Sequence, residues 1–112
     1  MAVANHGTVP QKIVHQGLRL DHDRDRGRYS LWQGPTYVGF LGYHLEEGVA
    51  TLQHTIIKEE YSRQGYARAL VTLVLEDLRK QNAKIVPECT YVQDYLRRYP
   101  EYNDMLAARP LF

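Results

Sequence analysis

Apolar residues follow two different periods along this 112-residue chain, and the change falls at Gly65. Before it, aromatic and β-branched residues come in short runs closed by turn signals. Arg28–Gln33 holds Tyr29, Leu31 and Trp32 and ends at Gly34-Pro35. Thr36–Leu45 follows, Glu47-Gly48 marks a hairpin, and Val49–Lys58 is the next strand. Connections this short favour an antiparallel meander. Upstream, a short strand is expected near Ile13–Val14 or near Leu18–Leu20, and Asp21–Gly27 (DHDRDRG) reads as a polar turn cluster. From Gly65 to about Gln81 the spacing becomes helical: Ala67, Leu70, Val71, Val74, Leu75 and Leu78 share one face, with Arg68, Asp77, Arg79 and Lys80 largely opposite. Asn82 is the expected stop. Lys84–Pro87 is a short β-branched strand. Thr90-x-x-Gln93 has the form of a capping box opening a second helix, about Tyr91–Tyr99, which Pro100 breaks. Glu101–Ala107 is expected as a short final helix.

A strand at 49–58, a helix and a strand at 84–87 make a βαβ unit, hence one parallel pair on an otherwise antiparallel sheet. The expected class is α/β of the α+β type: a mostly antiparallel twisted sheet, a parallel βαβ extension and two to three helices. Residues 1–12, small and polar with Gly7 and Pro10, read as a flexible leader, and 13–112 as a single domain.

Composition narrows the function classes. A mass of 13.0 kDa fits one domain, and an apolar fraction of 44% with 24% charged residues excludes disorder as the main state. No apolar run approaches the roughly 18 residues of a membrane helix, and no signal peptide is visible, so no membrane role is expected. The lone cysteine, Cys89, leaves no disulfide framework and makes a reducing cytoplasm the expected compartment. Net charge is +1, with five residues of each sign in 1–56 and nine positive against eight negative in 57–112. Nucleic-acid binding driven by bulk charge is therefore disfavoured. A monomer or weak dimer is expected.

The informative stretch is Ile56–Leu75, a strand and a tight turn that feed a helix N-terminus. Unpaired N–H groups there suit a pyrophosphate, Gly65 and the small Ala67 let backbone approach an anion, and Arg63 and Arg68 add positive charge. Neither a Walker A loop nor G-x-G-x-x-G is present. An ordinary strand–turn–helix bend explains the same residues. Other constellations are weaker. An EF-hand loop starting at Asp21 would need Gly and Glu where Arg26 and Trp32 stand. His6, His15 and His44 lack zinc-ligand spacing, so no metal is expected. Tyr91, Tyr95 and Tyr102 suit packing better than base stacking.

Several pieces in order resemble the GNAT superfamily of acetyl-CoA-dependent acyltransferases, in particular its short single-domain members. They are Leu52-Gln53-His54-Thr55, Arg63-Gln64-Gly65-Tyr66-Ala67 with Ala69-Leu70-Val71, Ile85-Val86-Pro87-Glu88-Cys89-Thr90-Tyr91-Val92, and Tyr99-Pro100-Glu101-Tyr102. The resemblance spans about Arg28 to Met105. Gly65 and Ala67 fit the end of the superfamily's Q/R-x-x-G-x-G/A loop, while its first position falls on Ser62. The chain also lacks the longer N-terminal helical region of full-size members, which implies a truncated, more open acceptor side.

The resemblance implies acetyl-CoA as co-substrate and an unidentified amine as acceptor. Backbone amides of Arg63, Gln64, Gly65, Tyr66, Ala67 and Arg68 would cradle the CoA pyrophosphate. The strand at Thr55, Ile56 and Ile57 would pair with the pantetheine amides, and a splayed strand 84–87 would leave room for that arm. A main-chain N–H nearby would stabilise the oxyanion. Two side chains are candidates for catalysis. His54, expected to share a face with Leu52 and Ile56, can take a proton from the incoming amine, or be a half-buried sheet histidine. Cys89, just before the Thr90 cap, stands where a helix N-terminus favours a thiolate; it can accept the acetyl group, lie beside the CoA sulfur, or simply pack. The two would act as a pair only from facing strand ends. The alternatives are a CoA-binding protein without catalysis, and a protein- or RNA-interaction module presenting its tyrosines.

Overall fold

The computed structural model describes residues Lys12 to Ala107. Five strands form one sheet in sequence order: β1 (Leu18–Asp23), β2 (Arg28–Gln33), β3 (Thr36–Glu46), β4 (Val49–Ile57) and β5 (Lys84–Pro87). Neighbours pair antiparallel except β4 and β5, which run parallel. Helices α1 (Tyr66–Lys80) and α2 (Thr90–Arg98) follow β4 and β5, with 3₁₀ turns at Glu59–Tyr61 and Pro100–Met105. The expected mixed class, with its single parallel pair, is what forms.

Local chemistry accounts for most element ends. Glu47 and Gly48 both have positive φ (52° and 78°), the pairing that a two-residue hairpin of the favoured twist requires. α1 closes on Asn82 at φ 60°, with Ala83 N–H donating to the Leu78 carbonyl (3.0 Å) and Asn82 N–H to that of Arg79 (3.0 Å). This Schellman arrangement satisfies two of the helix's orphan carbonyls.

Four expectations change. The upstream strand is Leu18–Asp23, so Asp21–Asp23 belong to β1 and the turn shrinks to the residues before Arg28. No capping box forms: Cys89 is the N-cap of α2 without a side-chain bond, and the Gln93 side-chain amide donates to the Pro87 carbonyl instead (2.9 Å). The final helix is a 3₁₀ segment, Pro100–Met105. Ala69, rather than Ala67, joins the fully buried face of α1. The expected leader, residues 1–12, lies outside the described residues except for Lys12.

One sheet face carries the core. Tyr29, Leu31, Val38, Leu41, Ala50 and Leu52 meet Leu70, Val74 and Leu75 of α1 and Val92 of α2. A hydrogen bond between Thr72 Oγ1 and the Tyr95 hydroxyl (2.7 Å) ties the two helices together. Two ladder irregularities matter for the site. Register slips between Leu31 and Trp32 leave Val38 as an extra residue in β3, and a slip at Gly42/Tyr43 leaves Gln53 extra in β4. No helix among the described residues is long and apolar enough to cross a membrane.

At the far end of α1, His22 stacks on Tyr29 (3.9 Å) and shares a 2.5 Å hydrogen bond with the Tyr43 hydroxyl, while Tyr29 donates to Asp77 (2.7 Å). Burial, helped by the Arg24 guanidinium, holds the His22 imidazole below its ordinary value of 6.5, against the pull of Asp77 and Asp23. With the folded value depressed, the unfolded chain binds the extra proton as the pH falls. The stability involved is complete above the unfolded value and is lost as the pH drops through the folded one. Urea midpoints are therefore expected to fall between about pH 7 and about pH 5, and to fall less in a His22→Phe variant, which cannot take up that proton.

Candidate acyl-carrier site

The site follows from where β5 leaves β4. Their ladder covers only Val49–Lys84 to Leu52–Pro87. Pro87 has no N–H to continue it, and the Leu52 carbonyl accepts from the N–H groups of both Glu88 (3.0 Å) and Cys89 (2.9 Å) as the chain turns into α2. The rest of β4 keeps pairing with β3 on its other side, Thr55 opposite Leu41 and Ile57 opposite Gly39. Lys58 N–H donates to the Val38 carbonyl (2.9 Å). Because antiparallel backbone groups alternate in direction, those of Thr55 and Ile57 point away from β3, into the gap that β5 has left.

β4 then runs through the 3₁₀ turn Glu59–Tyr61 into the bend before α1. Here Arg63 (φ 63°) and Gly65 (φ 91°) are both left-handed, which shapes the backbone into a concavity of N–H groups at the helix N-terminus. Gly65 is favoured by its φ; a Cβ there would also stand 3.0 Å from the Arg68 guanidinium, a contact that this long side chain can relieve by a small shift. Arg68 is half-buried, and its Nε is buried with no hydrogen-bond partner among the described residues. The Arg68 guanidinium, with its Nη2 closest to Gly65, adds positive charge to the helix N-terminus and so favours an anion there. Tyr91 of α2 lies close by: burial pushes its phenol up, and the Arg68 charge pulls the other way.

The two catalytic candidates are not brought together. The Gln53 bulge advances the alternation by one residue, so His54 lies on the face opposite Leu52. It shares that outer face with Ile56, corrects the expected grouping with Leu52, and is exposed. Its imidazole packs edge-on to Phe40 (5.7 Å) over Gly42. Cys89, 9% exposed, lies on the helix side, with its thiol 3.5 Å from the Thr55 hydroxyl. Cys89 and Thr55 thus flank the mouth of the gap from one side, and His54 stands on the other. The expected cradle, Arg63 through Arg68, follows the expected edge, Thr55–Ile57, along the chain, with the 3₁₀ turn Glu59–Tyr61 between them. Sequence reasoning missed the Gln53 bulge, which has no local signature. It gave Tyr91 a packing role only, and weighed His15 only as a metal ligand. A separate cavity of about 380 Å³, lined by His22, Arg24, Tyr43 and His44 among others, contains none of these residues.

Fourth and fifth strands that part beside a glycine at a helix N-terminus are the arrangement that the resemblance to acyltransferases implies. The sequence profile of the GCN5-related N-acetyl-transferase family matches residues 28–105, and the chain belongs to that family. A GCN5-like candidate acetyltransferase from Staphylococcus aureus, solved in solution, is similar in fold, with TM-score 0.63 and 18% identity over 86% of this chain and 94% of that one. The ribosomal-protein-S18-alanine N-acetyltransferase of Escherichia coli (TM-score 0.50, 20% identity) aligns over 66% of this chain, which spans only 43% of its length. The ribosomal-protein-alanine N-acetyltransferase of Brucella melitensis biovar Abortus 2308 (TM-score 0.50, 19% identity) aligns over 80% of this chain and 70% of its own. No curated protein matches the chain.

A Gly65→Ala variant is expected to lose about 1–2 kcal/mol of stability, the cost of a side chain in the left-handed region. Chemical denaturation measures it; an unchanged midpoint would show that the bend does not need its glycine.

Proposed function

We propose that this chain binds acetyl-CoA, or a related acyl-CoA, along the free edge of β4 and the bend at residues 63–68, and transfers the acyl group to an amine. The observation that carries the reading is the left-handed bend at Arg63 and Gly65, with the Arg68 guanidinium beside it, at the end of an open strand edge. The diphosphate would be held by the main-chain N–H groups of 63–68 with Arg68, and the pantetheine amides by the outward backbone groups of Thr55 and Ile57. The thioester would then lie near the parting of β4 and β5. There the bulge frees main-chain groups around Gln53, and a main-chain N–H is the donor that a developing oxyanion needs.

Transfer balances simply. The amine nitrogen attacks the thioester carbon, the new C–N bond replaces the C–S bond, the CoA sulfur departs, and the nitrogen gives up a proton. His54, exposed on the outer face beside the bulge, is the group to take that proton, directly or through a water. The acceptor would approach from this uncovered face. The names of the two ribosomal-protein-alanine acetyltransferases make a protein α-amine one acceptor to try. A cytoplasmic setting, where acyl-CoA is available, belongs to the same reading. A second reading makes Cys89 an acyl carrier; its place at the mouth of the gap, beside Thr55, favours it.

Titration with CoA and acetyl-CoA is expected to shift backbone amides within 53–68 and 84–95. Shifts confined elsewhere, or none at saturation, would overturn the binding site. His54→Gln is expected to slow transfer by about 10²-fold while CoA affinity holds. Full transfer activity in Cys89→Ser would remove the acyl-cysteine route.

A further inference from the structure

We propose that residues 12–17 form a strap that locks the diphosphate loop in its anion-binding shape, with His15 as the positioning residue; the idea rests on the CoA reading above. The strap is tied at both ends. At one, Lys12 Nζ bonds the Glu101 carboxylate (2.6 Å) and the Tyr102 hydroxyl (3.3 Å), on the 3₁₀ segment after α2. At the other, the Gly17 carbonyl accepts from Gly34 N–H (3.2 Å) and the Gln16 carbonyl from the Gln33 side-chain amide (2.7 Å). Between these anchors the chain passes over the start of α1. The His15 ring stacks on Tyr66, the first residue of that helix, at 3.8 Å and within 4° of parallel. The Tyr66 hydroxyl in turn donates to the Gln33 side chain, closing the circuit back to the strap's second anchor.

The decisive contact is the hydrogen bond of 2.7 Å between His15 Nε2 and the backbone carbonyl of Gln64. A carbonyl only accepts, so Nε2 carries the proton. In a trans peptide the C=O and the following N–H point in opposite directions. Holding the Gln64 carbonyl outwards against His15 therefore aims the Gly65 N–H to the opposite side. The same peptide is the one most able to rotate, because the glycine that follows it accepts either sign of φ. His15 opposes that flip, and Val14 sits against the same turn, its Cγ2 within 3.6 Å of where a Gly65 Cβ would stand. His15 itself needs no contact with the ligand.

The test compares wild type, His15→Ala and His15→Gln by calorimetry with CoA and with pantetheine, which lacks the diphosphate, and by hydrogen exchange. His15→Ala is expected to weaken CoA about fivefold, the worth of one ordering hydrogen bond, to leave pantetheine binding as in wild type, and to speed amide exchange at 64–66. His15→Gln, which keeps a side-chain N–H donor, is expected to recover part of the CoA affinity. Equal CoA affinity in wild type and His15→Ala would overturn the proposal, as would an equal loss for CoA and pantetheine. Wild-type protein that takes up no CoA would overturn the function proposed above. In that case unchanged exchange at 64–66 in His15→Ala would overturn the strap as well, whereas faster exchange would uphold the lock on the loop.

Discussion

The parting of β4 from β5 is the constraint on which the rest of the molecule turns. It is brought about by backbone chemistry, not by a side-chain wedge. Pro87 cannot donate, and the Leu52 carbonyl, by accepting from both Glu88 and Cys89, turns the chain out of the ladder and into α2 after four paired positions. An open edge inside a sheet is costly unless something pairs with it or water reaches it. Here β3 keeps the strand in place from one side, so the other side remains extended and presentable. The helix layer adds rigidity where the gap opens, because Tyr95 of α2 bonds Thr72 one turn beyond Arg68 on α1.

The strands and helices were legible in the sequence because their signals are local. Alternation in Arg28–Gln33, the Glu47-Gly48 turn and the spacing of Leu70, Val71, Val74 and Leu75 each depend on residues close in the chain, and each found its element. The bend around Gly65 was legible for the same reason. What escaped was set by the three-dimensional course of the chain. The extra residue at Gln53 is a property of the ladder with β3, so the face of His54 could not be read from β4 alone. Thr90 and Gln93 have the spacing of a capping box, yet the Gln93 amide found nearer carbonyls on the turn out of β5. His15 meets Gln64 across 49 positions, and no local pattern announces such a contact.

The tyrosines illustrate how a small domain builds its helix layer. Tyr95 and Tyr102 are almost wholly buried, their rings 5.8 Å apart, and each hydroxyl finds a partner: Thr72 for Tyr95, Glu76 for Tyr102. Burial, reinforced by Glu76, pushes the Tyr102 phenol up to about 12, so it stays a neutral donor throughout the physiological range. Each ring supplies large apolar area with a polar end that reaches the edge of the core, which lets a short final segment fasten α1 to the chain after α2.

Gly42 has a consequence of another kind. It pairs with His54 across the β3–β4 ladder, and a Cβ there would stand 2.6 Å from the imidazole Nε2. The Nε2 of the ring comes where any other residue would have a side chain, so its reach is set by a neighbour with none. A single methyl at position 42 would push the imidazole aside while leaving the free edge of β4 beyond Leu52 untouched. The placement of the His54 ring and the shape of the bend at Gly65 thus answer to separate substitutions on opposite sides of β4.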